Sequence, residues 1–242
     1  NSALLVVKDT SLNSALSVGG DVSLNAGLDV RGNLTSVNDI LVNGITIGTG
    51  SGDISTNTVF GIGALTSNTD GRGNIATGYQ ALTSNTEGRG NIANGYQALH
   101  KNETGNDNVA NGYQALHKNT GFNNVATGSF ALYTNTSGNY NNATGYKALY
   151  SNTTGSNNTA TGDVSLKNNL TGTNNTATGE AALHYNTGGN YNTANGTRAL
   201  YKNTTGSNNV ANGFQALYDN SGGDYNVANG TSALFSNTTG EG

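Results

Sequence analysis

Three histidines, His100, His117 and His184, are the residues of this chain that are best suited to bind a metal ion. His100 and His117 occupy the same position in two successive copies of a sequence repeat, so they lie on neighbouring coils, within reach of one ion. Most other copies of the repeat place flat side chains or threonine at the same position, so we favour a ladder of stacked rings and predict no metal site. These other residues are Thr66, Thr83, Tyr133, Tyr150, Tyr201, Tyr218 and Phe235.

The carboxylates do not form a recognisable catalytic pair. Asp70 and Glu87 occupy equivalent positions in successive repeats, and each is followed two residues later by an arginine, which predicts charge pairing between coils on a solvated face. A glycosidase needs two carboxylates across a cleft, and no Ser/His/Asp signature, phosphate-binding loop or cysteine pair is present. We therefore predict no catalytic residues, no cofactor and no enzymatic activity.

Aromatic residues that directly follow one glycine of the repeat form the most distinctive candidate binding surface. Exposed rings on a rigid repeat can stack on sugar rings; alternatively, they shield the turn or pack between neighbouring coils. Several copies hold Ser129, Asp163 or Glu180 at this position, which indicates a tolerant position. The candidate ladder consists of Tyr79, Tyr96, Tyr113, Tyr146 and Phe214.

All of these residues are positioned by a repeat of about seventeen residues that runs eleven times from residue 57 to residue 242. A fixed period of this length is typical of a stacked, quasi-one-dimensional structure. Nine of the ten steps between the marking glycines have the same length, and the step from Gly112 to Gly128 is shorter by a single residue. The glycines are Gly61, Gly78, Gly95, Gly112, Gly128, Gly145, Gly162, Gly179, Gly196, Gly213 and Gly230.

Fixed asparagine, alanine, glycine and leucine positions predict how one coil is built. Residues such as Asn74, Ala76 and Gly78 alternate along a short strand and share one face, where small side chains allow another backbone to approach closely. Asparagines at two fixed positions predict amide ladders that run along the stack. The leucine is the only large apolar residue in every copy and is the predicted core.

An alanine precedes this leucine in almost every copy, as in Ala148-Leu149. Neighbouring residues of a strand point to opposite faces, which predicts two buried surfaces, one inside the coil and one between chains; a local bend is the alternative. One leucine per coil gives a thin core over a length of roughly 50 Å. We therefore predict an all-β parallel β-solenoid or β-roll with about seventeen residues per coil, in an intertwined or side-by-side homotrimeric fibre.

The composition fits this prediction. Only 33% of the residues are hydrophobic and 10% are charged, with a net charge of −4, which suits a thin solenoid better than a globule or a charge-expanded disordered chain. The acidic balance argues against a nucleic-acid partner, and no stretch is apolar enough for membrane insertion. The missing initiator methionine suggests a fragment of a longer chain.

Residues 1–56 differ from the array of residues 57–242. They alternate apolar and polar residues with a period of two, in units about twelve residues long that end at Leu12-Asn13, Leu24-Asn25 and Val37-Asn38. This pattern predicts short strands. We interpret residues 1–56 as a β-rich shaft or lead-in segment, and residues 57–242 as an array of eleven coils.

The repeats resemble those of known fibre proteins. Asn74-Ile-Ala-Thr-Gly78-Tyr-Gln-Ala-Leu82 and Asn209-Val-Ala-Asn-Gly213-Phe-Gln-Ala-Leu217 look like the repeats of phage and virus tail-fibre proteins, and they are similar to the head repeats of trimeric autotransporter adhesins. Residues 11–38 resemble fibre-shaft repeats. The resemblance implies a left-handed, trimeric parallel β-roll. The sequence departs from the adhesin pattern because that repeat is shorter and carries isoleucine where threonine or asparagine stands here.

We expect a non-enzymatic segment of a virion tail fibre or appendage filament, located on the virion or at the cell surface. Such a rod contributes to attachment to a host polysaccharide or protein. The alternative is an autotransporter-type adhesin head, which a membrane anchor and a stalk in the same gene would favour. Sugar binding and ice binding are further alternatives, the latter because one threonine and asparagine column forms a flat array: Thr77, Asn94, Asn111, Thr127, Thr144, Thr161 and Thr178.

Overall fold

The computed structural model describes residues 39–52 and 54–241. They belong to one compact unit that begins at Val37. The predicted shaft repeats of residues 11–38 lie outside the described residues, so the structure does not test that prediction. All secondary-structure elements in the described part of the chain are β-strands. No helix there is long and apolar enough to cross a membrane.

Thirteen short strands form one sheet in which each strand pairs with the next along the chain. β1 (Ile40–Val42) and β2 (Ile45–Gly48) form an antiparallel hairpin, and β2 pairs antiparallel with β3 (Thr58–Gly61). From β3 onward every pairing is parallel, and equivalent residues such as Ala76 and Ala93 lie opposite each other. The other strands are β4 (Ile75–Thr77), β5 (Ile92–Asn94), β6 (Val109–Asn111), β7 (Val125–Thr127), β8 (Asn142–Thr144), β9 (Thr159–Thr161), β10 (Thr176–Thr178), β11 (Thr193–Asn195), β12 (Val210–Asn212) and β13 (Val227–Asn229).

The prediction of a parallel β-solenoid is confirmed. Because no further strand follows β13 among the described residues, the eleven parallel strands delimit ten complete coils, each of which corresponds to one copy of the sequence repeat. The one shorter coil keeps the register, with Val109 opposite Val125. Its missing residue is absorbed in a turn, where Asn119 Nδ2 bonds to the carbonyl oxygen of Gly121, two positions on instead of three.

The glycine after each strand permits close contact between coils. Gly145 has a φ of 132°, and a Cβ there would lie 2.7 Å from the carbonyl carbon of Gly162 in the next coil. A side chain would therefore meet backbone that cannot move aside, in a conformation that already favours glycine. Gly230, in the incomplete last copy of the repeat, has a similar φ of 125°, but nothing lies within 4 Å of the position of its Cβ.

The alanine and leucine that follow the strand are both buried inside one coil. Ala148 and Leu149 are fully buried in the single chain, because the backbone of Leu149 is left-handed with a φ of 51° and both side chains turn inward. The inference that such a pair marks a second buried surface between chains is therefore wrong. The local bend is the correct explanation, and the leucines form the core as predicted.

Two further positions of the coil are left-handed. One lies two residues after the strand glycine, and the other directly precedes the asparagine at the start of the strand. The first copies place glycine there, as at Gly63 and Gly90, whereas later copies place Val164 and Tyr225 at these positions. An L-residue in this conformation costs about 1–2 kcal/mol, so packing between coils overrides local preference in the later copies.

Two ladders of buried asparagines run along the solenoid, as predicted. Asn91 Nδ2 donates to Asn74 Oδ1 at 3.2 Å and to the carbonyl oxygen of Gly105 at 2.8 Å. In the second ladder, Asn102 Nδ2 donates to Asn85 Oδ1 at 3.2 Å and to the same Gly105 oxygen at 2.9 Å. One glycine carbonyl thus joins both ladders in each coil. Because the amide hydrogens are satisfied, these polar side chains stay buried without an unpaired group.

Candidate binding surfaces of the solenoid

The outward residues of the parallel strands form one continuous surface, which we call the strand face. In β9, Thr159 and Thr161 are exposed while Ala160 between them is buried, and Thr176 and Thr178 of β10 lie beside them in register. None of the outward residues on β3–β13 is charged. One column is Thr58, Ile75, Ile92, Val109, Val125, Asn142, Thr159, Thr176, Thr193, Val210 and Val227; the other is Phe60, Thr77, Asn94, Asn111, Thr127, Thr144, Thr161, Thr178, Asn195, Asn212 and Asn229.

The geometry of the strand face is regular because the register is fixed by equivalent residues. Neighbouring strands of a sheet are about 4.8 Å apart, and outward residues of one strand are about 7 Å apart. β-branched residues fill ten of the eleven positions of the first column, which limits rotamer freedom there. The threonine and asparagine column of the ice-binding alternative therefore lies on a uniform surface, while its function remains a prediction.

The candidate aromatic ladder is only partly continuous. Tyr79, Tyr96 and Tyr113 are stacked with ring centroids 5.1 and 5.0 Å apart, and each ring is a little over 40% exposed. The rings therefore pack between neighbouring coils and still present an edge to solvent. The interpretation that the rings pack between neighbouring coils is confirmed for these three tyrosines, and stacking on a sugar ring stays a prediction.

The other two candidates are separated from that stack. Tyr146 lies 6.4 Å from Phe130 in an edge-to-face arrangement, and Lys147 Nζ lies 5.0 Å from its ring centroid. Phe214 has a threonine before and after it in its column and stacks on no ring in the part of the chain that the structure describes. The five candidates thus do not form one continuous stack of rings, and their role in binding stays a prediction.

A second aromatic ladder occupies the position directly after the core leucine. His117 stacks between His100 and Tyr133, with 5.1 Å between centroids on each side. His184 continues into Tyr201 at 5.3 Å. The predicted ladder of flat side chains is therefore confirmed. A metal ion needs several side chains close together. Among the described residues, no group of three or more histidine, cysteine, aspartate or glutamate side chains is placed to hold one.

The environments of His117 and His184 favour the neutral form of their side chains. Burial lowers the pKa of His117 to about 4, and the nearby charges of His100, Lys101 and Lys118 act in the same direction. The Nδ1 atom of His117 has no hydrogen-bond partner within the described residues. Burial likewise lowers the pKa of His184, whose Nδ1 lies 3.2 Å from the carbonyl oxygen of Val164.

The predicted charge pairing between coils is present at Asp70, whereas Glu87 forms no ion pair within the described residues. Asp70 contacts Arg72 at 3.1 Å and Arg89 of the next coil at 2.7 Å. Hydrogen bonds and charge from Arg72, and then from Arg89, lower the pKa of the Asp70 carboxyl group. These side chains are half exposed or more, so each pair contributes at most about 1 kcal/mol. A shallow cleft of about 390 Å³ beside them is lined by Glu87, Arg89, Thr104, Asn106 and Asp107.

Two aromatic residues that the repeat pattern did not single out join these ladders in the structure. Phe130 lies 5.2 Å from Tyr113 in an edge-to-face contact, from the column next to that of the tyrosines. Tyr185 stands at 87° to Tyr201, with 5.2 Å between centroids. Tyr185 is the only aromatic residue at its repeat position, and this departure was the signal available in the sequence.

Comparison with family models, with curated proteins and with solved structures finds no match to this chain. Any role of these surfaces is therefore inferred from their geometry and residue chemistry alone. Their common feature is regularity, since each is a column of equivalent residues from successive coils.

Proposed function

We propose that this chain is a structural fibre segment of a virion tail fibre or appendage filament. In this proposal the solenoid forms a rigid rod, associates with two further copies of itself, and contributes to attachment at a host surface. Ten stacked coils give such a rod a length of roughly 50 Å. The resemblance of the repeats to trimeric fibre proteins is the reason for choosing three copies.

The observation that carries the proposal is the strand face. It runs over eleven strands without a charged residue, whereas the turns carry exposed charges such as Asp70, Arg72 and Arg89. The cores of protein interfaces are depleted of charged residues, and sheet faces pack well against each other. Exposed Ile75, at 41%, and Ile92, at 39%, lose contact with water when another copy covers this face.

The mass of the native protein in solution tests this proposal. Light scattering of the 24.6 kDa chain is expected to give three times the chain mass. Thr144→Lys combined with Thr161→Lys places two charges on the strand face, and we expect this variant to be monomeric with an unchanged circular dichroism spectrum. Ser151→Lys is the matched control, because the repeat itself carries lysine at that position in Lys101 and Lys118. A folded wild-type monomer would refute the proposal.

Ice binding is a second candidate, favoured by the same strand face. Thr159, Thr161, Thr176 and Thr178 present methyl and hydroxyl groups in a regular two-column array, as a surface that orders water would require. Thermal hysteresis measured with the wild-type protein tests it. Depression of the freezing point that Thr161→Lys abolishes would support this function, and no depression at high protein concentration would eliminate it.

A further inference from the structure

Three successive coils hold a combination of residues at one position that no other part of the array repeats. The second residue after the core leucine is Tyr185, Lys202 and Asp219 in these coils. Tyrosine and aspartate occur at this position nowhere else in the array; the other copies hold Ser67, Ser84, Lys101, Lys118, Thr134, Ser151, Asn168 and Ser236. An aromatic ring, a cation and an anion thus follow one another at equivalent positions of three successive coils.

The two tyrosines of this region form the walls of an open cleft. The Tyr185 ring is 43% exposed and stands at 87° to the ring of Tyr201, with 5.2 Å between centroids. Tyr201 stacks in turn on Tyr218 at 5.0 Å, which holds that wall in place. The cleft has a volume of about 440 Å³, and Lys202, Thr204 and Ser221 complete its lining. This volume is within the usual range of small-molecule sites.

The charges beside the cleft compensate each other. Lys202 Nζ lies 2.8 Å from Asp219 Oδ1 and 5.3 Å from the ring centroid of Tyr218. The pair supplies ammonium donors and carboxylate acceptors without a net charge. An anionic ligand such as a nucleotide or phosphate would need an excess of positive charge here, and the chain as a whole carries −4. The cleft therefore favours an uncharged ligand with many hydroxyl groups.

We propose that this cleft binds one pyranose residue of an uncharged glycan. The C–H face of the sugar packs on the exposed ring of Tyr185, because polarised C–H groups are attracted by the negative face of an aromatic ring. The sugar hydroxyls bond to Lys202, which lines the cleft and is held by the carboxylate of Asp219. The cleft lies in the turn after the core leucine and not on the strand face, so this inference stands independently of the proposed self-association.

Titration with neutral oligosaccharides tests the inference. Linear hexasaccharides of glucose, of N-acetylglucosamine and of galactose are added to the full chain and followed by calorimetry. We expect at least one of them to bind with a Kd in the micromolar to millimolar range. Tyr185→Ser introduces the serine that other copies use at this position and should weaken binding about tenfold or more. Lys202→Ser should weaken it severalfold, because the aromatic wall remains.

Tyr225→Asn is the matched control, since Tyr225 is 64% exposed and other copies hold asparagine at its position, as at Asn208. We expect it to bind as the wild type does. Circular dichroism of each variant shows that the solenoid is folded. Failure of all three hexasaccharides to bind, or an equal loss in Tyr225→Asn and Tyr185→Ser, would overturn the inference. The mass in solution is measured on the same samples and reports on self-association separately.

Discussion

The side-chain oxygen of Asn74 accepts two hydrogen bonds from Asn91, the equivalent residue of the next coil. The backbone nitrogen of Asn91 lies 2.9 Å and its Nδ2 3.2 Å from Asn74 Oδ1. The same pair of bonds recurs at Asn91 and Asn108, with 3.0 and 3.2 Å. Each coil is therefore tied to its neighbour by a buried amide, and the height and register of one coil set those of the next.

Removing one asparagine side chain from this ladder should lower the free energy of unfolding. In Asn141→Ala, the backbone nitrogen and Nδ2 of Asn158 lose their common acceptor, and Gly155 loses one of its two amide donors. Buried groups without partners cost about 1–3 kcal/mol each, so we expect the free energy of unfolding in urea to fall by about 3 kcal/mol. Thr144→Ala changes an outward residue and should be nearly neutral. Equal losses in both variants would contradict a structural role for the ladder.

Two glycines with similar φ angles separate conformational strain from contact between coils. Gly145→Ala and Gly230→Ala both place a Cβ at a positive φ of similar size, 132° and 125°, but only the first brings it against the next coil. We expect Gly145→Ala to destabilise the protein by about 2 kcal/mol more than Gly230→Ala, because overpacking against backbone adds to the strain. Thermal unfolding of both variants measures this difference. If their melting temperatures matched, contact between coils would not be the reason for the fixed glycine.

A strained valine offers a route to higher stability. Val164 has a φ of 52°, a conformation that is costly for a β-branched residue and tolerated by asparagine. Val164→Asn should raise the free energy of unfolding by about 1 kcal/mol. Val125→Asn makes the same exchange on an extended strand, where Asn142 already occupies the equivalent position, and we expect no gain there. A loss of stability in Val164→Asn would show that the contacts of the valine outweigh its strain.

His117 should make the solenoid sensitive to acid. Its pKa is about 4 in the folded chain against an unperturbed 6.5, so the unfolded state binds the proton more readily between these values. The stability that neutral His117 contributes is fully present above pH 6.5 and is lost as the pH falls towards 4. The loss is at most about 3 kcal/mol. Burial lowers the pKa of His184 too, which adds to the effect.

Urea unfolding at successive pH values checks this expectation. His117→Tyr keeps a flat ring between His100 and Tyr133 but carries no proton that is gained in this range. The variant should therefore lose less stability than the wild type between neutral pH and about pH 4. If both proteins lost the same amount, the acid sensitivity would have to arise elsewhere in the chain.

The period and the residue types of the repeat sufficed to predict the solenoid, the leucine core and both asparagine ladders. An asparagine such as Asn91 has little reason to recur at a fixed position unless its amide meets its own copy, so its role follows from the pattern alone. The same reasoning failed at Ala148-Leu149, because alternation along a strand presumes extended backbone. The left-handed φ of Leu149 breaks that assumption, and no simple propensity places leucine in this conformation.

The sequence therefore determined which residues stack on each other, because a repeat of nearly constant length places equivalent residues of successive coils in register. Only the tertiary structure decided which way each residue of the turns points, because their dihedrals are set by contacts with the neighbouring coils. The cleft between Tyr185 and Tyr201 depends on such a turn. The two tyrosines belong to successive copies of the repeat, and they form two walls of one cleft only because the coils stack.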